Sequence, residues 1–418
     1  MNGLRVVAVA LLCCLSLVAG VPVAADGAQA STATEHGESN VVSADNTTGY
    51  LAVSDGDPDR TATTDSQLDV AAAVAGRTAS IRVRSTEIAL QKAVRNAENE
   101  TERRAAVRRA ADRISARIDR LERRERNAVG RYADGDSTDT QFVRTLAVID
   151  TEARKTDGAV AELHRQNSRL DTPVLTQQEI ASFRARLLPL YGPVRQQLAE
   201  ATETGEGNRV YIETEDADIA LATVDDPEFD DPQYVREAHV RDARGPAAPS
   251  DFDAEDVERR FGELYPWASE NQDGGIQIGR YGGRPHVFTT AGVWPLDVGH
   301  THAATTPGLV LFFDGSTEDV FREFQFNDPS LVPTTTVENE TAGGDLRLVV
   351  ETTRAGGPLG VAVVDNETDE RVDATVDVNG EPVGSTDGER LWTVGPHGDV
   401  TVNATHDGRT ISVETRLD

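Results

Sequence analysis

Cysteine is confined to Cys13 and Cys14, both inside an apolar run near the N-terminus, so a chain trimmed behind that run carries no thiol. Disulfides and thiolate metal centres are then excluded. Lysine is nearly absent: Lys92 and Lys155 are the only two, and every other basic side chain is arginine. Methionine occurs only at Met1. Catalytic signatures are missing as well. No His-Glu-x-x-His is present, which leaves a zinc peptidase of that kind without support. No Gly-x-Ser-x-Gly occurs, and no serine has a motif tying it to a histidine and an acid. The pairs Gly343-Gly344 and Gly356-Gly357 are turn glycines that open no helix, as a phosphate loop must. Carboxylates are too numerous for any two to stand out as a glycosidase pair.

What the chain has in excess is negative charge. Seventy-one acidic residues stand against 41 basic ones, for a net charge of -30. A dense carboxylate coat holds water and cations, and its self-repulsion is tolerable only where salt screens it; at 1 M the screening length is about 3 Å. This acid-rich, lysine-poor, methionine-poor composition resembles that of proteins from extremely halophilic archaea. Apolar runs such as Gly308 to Phe313 require packed cores, so disorder does not explain the acidity as a whole.

The N-terminus has the layout of a removable secretory signal: a lone basic residue, Arg5, the apolar run Val6 to Val18, and Val23-Ala24-Ala25 before Asp26. Cleavage would remove residues 1–25. An uncleaved anchor is the alternative, since Val6 to Ala25 could nearly span a bilayer. The single Arg5 excludes a twin-arginine signal. A Sec-type export route to the extracellular space or cell surface is therefore expected, with no transmembrane segment after signal cleavage. Asn-x-Ser/Thr sequons at Asn46, Asn99, Asn339, Asn366 and Asn403 make surface glycosylation a matching expectation.

Composition and periodicity divide the rest into an α+β multidomain chain. Residues 26–65 are small and polar, and read as a disordered acidic spacer. Asp55, Asp57 and Asp59 begin like a calcium loop, but no bidentate glutamate follows at the required spacing. Residues 66–205 predict a long, coiled-coil-like helical hairpin and a third helix. One apolar stripe runs through Val107, Ala111, Ile114, Ile118, Leu121 and Ala128, and a second through Phe142, Leu146, Ile149, Ala153, Val160 and Leu163, both at steps of three and four. Thr138/Gln141 and Thr176/Glu179 are capping-box pairs, and Pro189 and Pro193 end or kink the third helix. Between Arg77 and Arg131, 16 basic residues meet eight acidic ones, a local +8 in an acidic chain. This is either a solvated helix face or a docking face for an acidic partner or anionic surface. Residues 206–329 predict a small α+β domain, with a helix near Val257 to Tyr265 and a hairpin turning at Asp314-Gly315. Residues 337–418 alternate as the short strands of an Ig-like or transthyretin-like β-sandwich, with Trp392 in its core.

Two resemblances follow from particular residues. Val372 to Gly380, then Val383-Gly384-Ser385-Thr386-Asp387-Gly388 and Trp392-Thr393-Val394, are similar to the strands and turns of carboxypeptidase-regulatory-like sandwiches. Those are accessory modules, so the resemblance implies a fold without catalysis. The Ala/Arg-rich helical front, Tyr265-Pro266-Trp267 and Asp319-Val320-Phe321-Arg322-Glu323 together resemble exported haloarchaeal proteins of unknown function. That resemblance implies an architecture and an address.

The closest approach to a reactive cluster is His286, Asp297, His300 and His302, where two histidines at i and i+2 of a strand could share a metal. Exposed loop histidines are the simpler reading. Trp267 and Trp294, flanked by Pro266 and Pro295, are the candidate binding aromatics if they are not core residues. The expectation is a non-enzymatic cell-surface protein without cofactor, with a protein or cell-envelope partner, a homodimer through the helical hairpin as one arrangement, and no nucleic-acid role. The alternative is an extracellular hydrolase with a histidine-containing site in the 226–329 domain.

Overall fold

In the computed structural model, the described residues are 40–418 apart from 45, 55, 57, 206, 226–230, 246–249, 273–274, 282–283, 286–287 and 300–307. The signal segment, Cys13, Cys14 and residues 26–39 of the expected spacer lie outside the described residues, as do Asp55 and Asp57.

The two apolar stripes become α2 (Glu100–Ala133) and α3 (Asp139–Asn167), which pack antiparallel across a five-residue turn. A further helix, α1 (Val70–Arg95), lies against α3. Sequence periodicity runs straight from α1 into α2, but the chain breaks between them. Asn96 caps the end of α1, and the Asn99 side-chain oxygen Oδ1 accepts from the Glu102 N–H at the start of α2. The front is thus three helices where two were expected. Thr176 and Glu179 form a reciprocal capping box on α4 (Gln177–Leu187). Pro189 closes that helix and Pro193 opens α5 (Pro193–Thr204), as a ring without an N–H permits at a first helical position.

These helices lie on an eight-stranded antiparallel sheet. Its strands are β1 (Arg60–Asp65), β2 (Arg209–Glu215), β3 (Asp218–Asp225), β4 (Gln233–His239), β5 (Ile276–Ile278), β6 (Val293–Val298), β7 (Gly308–Asp314) and β8 (Val320–Asn327), in spatial order β1-β2-β3-β4-β8-β7-β6-β5. Part of the expected spacer, Leu51 and Arg60–Asp65, therefore belongs to the folded body. Arg60-Thr-Ala-Thr-Thr-Asp65 pairs with β2 as an edge strand, and Leu51 is fully buried. β-Branched threonines suit such a strand although their polarity resembles a linker. The helices and sheet also share cores: Val129, Phe142 and Leu198 pack with Ile212, Leu221 and Val235. No helix among the described residues is long and apolar enough to cross a membrane.

The other face of the sheet carries α6 (Ala254–Leu264) over a core of Phe252, Phe261, Leu296 and Phe313. The C-terminal residues form a β-sandwich. One sheet holds Thr335–Glu340, Leu346–Thr352, Pro358–Asp365, Arg371–Val372 and Leu391–Val394. The other holds Thr375–Val378, Glu381–Ser385, Gly398–His406 and Arg409–Leu417. Trp392 is buried between them. The sandwich shares a core with Tyr211, Ala222, Val224 and Tyr234 of the large sheet, and the Tyr234 hydroxyl donates to the Gly356 carbonyl at 2.9 Å. Gly356 has φ 67°, and a Cβ there would come within 2.5 Å of the Tyr211 ring. Only glycine permits this approach.

Candidate functional site

The chain buries its charges at the centre of the large sheet, where Arg322 and Glu323 project from successive positions of β8 to opposite faces. On the helical face, Arg322 Nη2 lies 3.2 Å from Glu237 Oε1 on β4, and donates to the Tyr191 carbonyl at 3.0 Å. Arg195 Nε is 3.0 Å from the same carboxylate oxygen. The second oxygen of Glu237 accepts from the Val194 N–H at 3.0 Å and the Arg195 N–H at 3.4 Å, so a strand residue neutralises the start of α5. Glu125 on α2 reaches Arg195 at 3.5 Å and Arg241 at 2.5 Å. Nearby, Asp150 on α3 pairs with Arg154 at 2.9 Å and accepts from the Gly192 N–H at 3.1 Å.

On the opposite face, Glu323 accepts from Arg236 at 2.8 Å, the Tyr265 hydroxyl at 2.6 Å and the Leu51 N–H at 2.9 Å. Arg236 in turn donates to the Leu51 carbonyl at 2.8 Å. The Arg-Glu pair and the Tyr-Pro-Trp segment singled out in the sequence thus hold the layers together. Charges this deep are costly alone and survive because each is paired and hydrogen-bonded. Burial pulls Arg322 down to about 10 and holds His239 well below its ordinary value, with Arg322 adding to the effect on the histidine. Burial likewise raises Glu323 and Tyr265. Every oxygen of Glu237 and Glu323 is already engaged by protein donors.

The sequence-derived site residues fare differently. His286, His300 and His302 lie outside the described residues. Asp297 stands on β6 opposite Val310 and Gln277, half-buried. Among the described residues no group of three or more potential ligands could hold a metal ion. Trp294 is half-buried and meets Phe252 edge-on at 6.4 Å, and Trp267 packs on the same core.

The open surface has a feature that residue counting only hinted at. A groove of about 770 Å³ between the end of α2 and the start of α3 is lined by Arg120, Arg123, Arg124, Arg131 and Arg144, with no acidic side chain in its lining. Elsewhere on the helical front, α1 exposes Val70, Val74, Ile81 and Ile88. A smaller cavity of about 250 Å³, where the sandwich meets the sheet, is lined by Tyr50, Tyr234, Gln325, Asn327 and Arg354.

Fold and sequence together define a helix-fronted antiparallel-sheet protein that ends in a sandwich of fibronectin-III type. Residues 1–208 match a domain of unknown function (DUF7096), residues 210–333 a family of unknown function (DUF7094), and residues 336–413 an archaeal fibronectin-III type-like domain. The chain is accordingly an archaeal protein of unknown function with a C-terminal β-sandwich. The sandwich match is to a class other than the carboxypeptidase-regulatory-like one that the strand and turn residues resemble. Both are small antiparallel sandwiches with alternating inward residues. No curated protein and no solved structure matches the chain.

Proposed function

We propose that this is a non-enzymatic protein of an extreme halophile, exported through a Sec-type signal to the cell surface, where it acts as a scaffold that binds a partner through its helical front. The observation that carries this reading is the division of its charges. The deeply buried ones join helices to sheet, whereas the helical front presents unneutralised arginines to solvent in a chain of net charge -30. Fixed, fully engaged carboxylates suit a scaffold, and a one-signed exposed groove suits recognition. The fibronectin-III type-like module supports the same reading by analogy of fold alone, because many cell-surface domains share the sandwich architecture.

A homodimer through the helices is the less favoured arrangement. α1 carries five basic residues (Arg77, Arg82, Arg84, Lys92, Arg95) and one acidic residue (Glu87), a net +4, so self-pairing would set like charges together.

Cell fractionation with N-terminal sequencing tests the proposal. The mature chain should begin near Asp26 and sit in the surface fraction. Recovery from the cytosol with residues 1–25 attached would overturn it. Turnover of any member of a hydrolase substrate panel, lost on His300→Ala with His302→Ala, would favour the hydrolase alternative.

A further inference from the structure

The arginine groove carries a sharper conclusion. Arg120, Arg124, Asn127 and Arg131 follow one another at steps of four, three and four along α2, so they line one stripe of the helix, with Arg123 beside it. The carboxylates of the same stretch are committed elsewhere. Asp119 and Glu122 both pair with Arg186 of α4, at 2.6 Å each, and Glu125 is buried with Arg195 and Arg241. Arg144 pairs with Asp69, the N-cap of α1. Among the described residues, Arg120, Arg123, Arg124 and Arg131 form no ion pair. Folding therefore engages the acids of this stretch of α2 with other arginines and leaves Arg120, Arg123, Arg124 and Arg131 facing the groove. The positive field extends further: Arg117 is held below its ordinary value, first by burial and then by repulsion from Arg120 and Arg82, against the pull of Glu152.

Clustered guanidiniums repel one another, and a bound anion removes that cost. Their planar forks match the oxygens of a tetrahedral oxyanion two at a time, which a lysine cannot do. Asn127 and Gln141 add neutral donors at the same groove. We propose that the α2–α3 groove binds a multiply charged phosphate-type anion, with Arg120, Arg124 and Arg131 as the principal contacts. This deepens the partner-binding reading above and rests on it. The chemistry is shared by an anionic lipid headgroup and a soluble phosphate compound, since both present phosphate oxygens to the same guanidinium forks.

The test uses the full mature chain and two probes across a potassium chloride series. Inorganic tripolyphosphate is followed by calorimetry, and sedimentation is measured with vesicles of phosphatidylglycerol or of phosphatidylcholine. Tripolyphosphate should bind, more weakly as salt rises. Arg120→Gln, Arg124→Gln and Arg131→Gln together should weaken it about tenfold or more, the scale of several charge-assisted bonds. Arg259→Gln on α6 should leave it unchanged. If the triple variant melts early, Arg120→Lys with Arg124→Lys serves instead, because it keeps the charge, loses the fork and should bind at an intermediate strength. Binding to phosphatidylglycerol vesicles and not phosphatidylcholine ones identifies a headgroup; binding to tripolyphosphate alone identifies a soluble anion. No binding by the unaltered protein at any salt, or equal binding by the triple variant, overturns the inference. Neither result bears on cell-surface location, which fractionation decides separately.

Discussion

Glu237 on β4 and Arg322 on β8 lie on adjacent strands, 3.2 Å apart, with side chains 1% and 0% exposed. Between them they bind the start of α5, the Arg195 side chain on the same helix and the Tyr191 carbonyl just before it, so α5 and the turn that leads into it are held on one ion pair.

Removing one charge of this cluster is predicted to be severe. Glu237→Gln keeps the shape but leaves Arg322 and Arg195 buried without their shared counter-charge, at a cost of roughly 3–5 kcal/mol. Chemical denaturation should show that loss. Glu237→Leu combined with Arg322→Met should recover part of it, because an apolar pair carries no desolvation penalty. A double variant as unstable as the sum of the single ones would contradict this account.

Gly192 and Gly158 should respond oppositely to alanine. A Cβ on Gly192 would stand 2.0 Å from Glu237 Oε2 and 2.6 Å from Arg322 Nη2, inside the ion cluster. Overpacking of this kind costs about 1–3 kcal/mol. Gly158 lies within α3, and its nearest neighbour for a Cβ is Glu87 at 3.8 Å, so alanine there should stabilise by roughly 0.5–1 kcal/mol through helix propensity. Thermal melts of the two variants in the same salt decide the matter.

Stability should depend on pH through Asp150. Burial raises this carboxyl from 3.8 to about 6, outweighing the opposing pull of Arg154. Asp218 is also raised to about 6, again chiefly by burial. For such groups the folded state holds the proton longer than the unfolded chain, so their contribution to stability falls as pH rises from about 4 to about 6 and is constant above that. Carboxylates shifted the other way, such as Glu263 beside Arg260, act in the opposite sense. The difference between the native protein and Asp150→Asn should therefore change across this window and flatten above it. A difference that is constant from pH 4 to 7 would contradict the burial of a charged Asp150.

The five sequons are not equivalent in the fold. Asn99 caps α2, Asn339 donates to the Ser412 carbonyl, Asn366 to the Gly344 carbonyl, and the half-buried Asn403 to Asp377 at 2.8 Å. Asn46 is exposed in a left-handed turn with φ 57° and makes no such bond among the described residues. Glycopeptide mass spectrometry of the native protein should find Asn46 the most occupied site and Asn403 the least. The reverse order would mean that folding does not govern modification.

Much of the front was legible in the sequence, because helical stripes such as Val107 to Leu121 repeat over many turns and burial follows the repeat. The break at Asn96 to Asn99 was not, since no proline or glycine marks it and the cap pair Asn99/Glu102 is brief. β1 was missed because Thr61, Thr63 and Thr64 look like linker residues until β2 supplies the hydrogen bonds. The buried ions were illegible for a different reason. An arginine such as Arg322 is ordinarily a surface residue, and only its long-range partners Glu237 and Tyr191 let it go inside. Its one sequence signal is an Arg-Glu pair set between Phe321 and Phe324. The net charge of residues 77–131 could be counted directly, but which arginines stay unpaired depends on Arg186 capturing Asp119 and Glu122.

The most direct test of a partner-binding surface protein uses its lysine scarcity. Lys92 on α1 and Lys155 on α3 are both exposed, so an amine-reactive cross-linker applied to intact cells reports on the helical front. Mass spectrometry should find Lys92 or Lys155 joined to cell-envelope components. Cross-links only to cytosolic proteins, on a chain still carrying residues 1–25, would contradict the account.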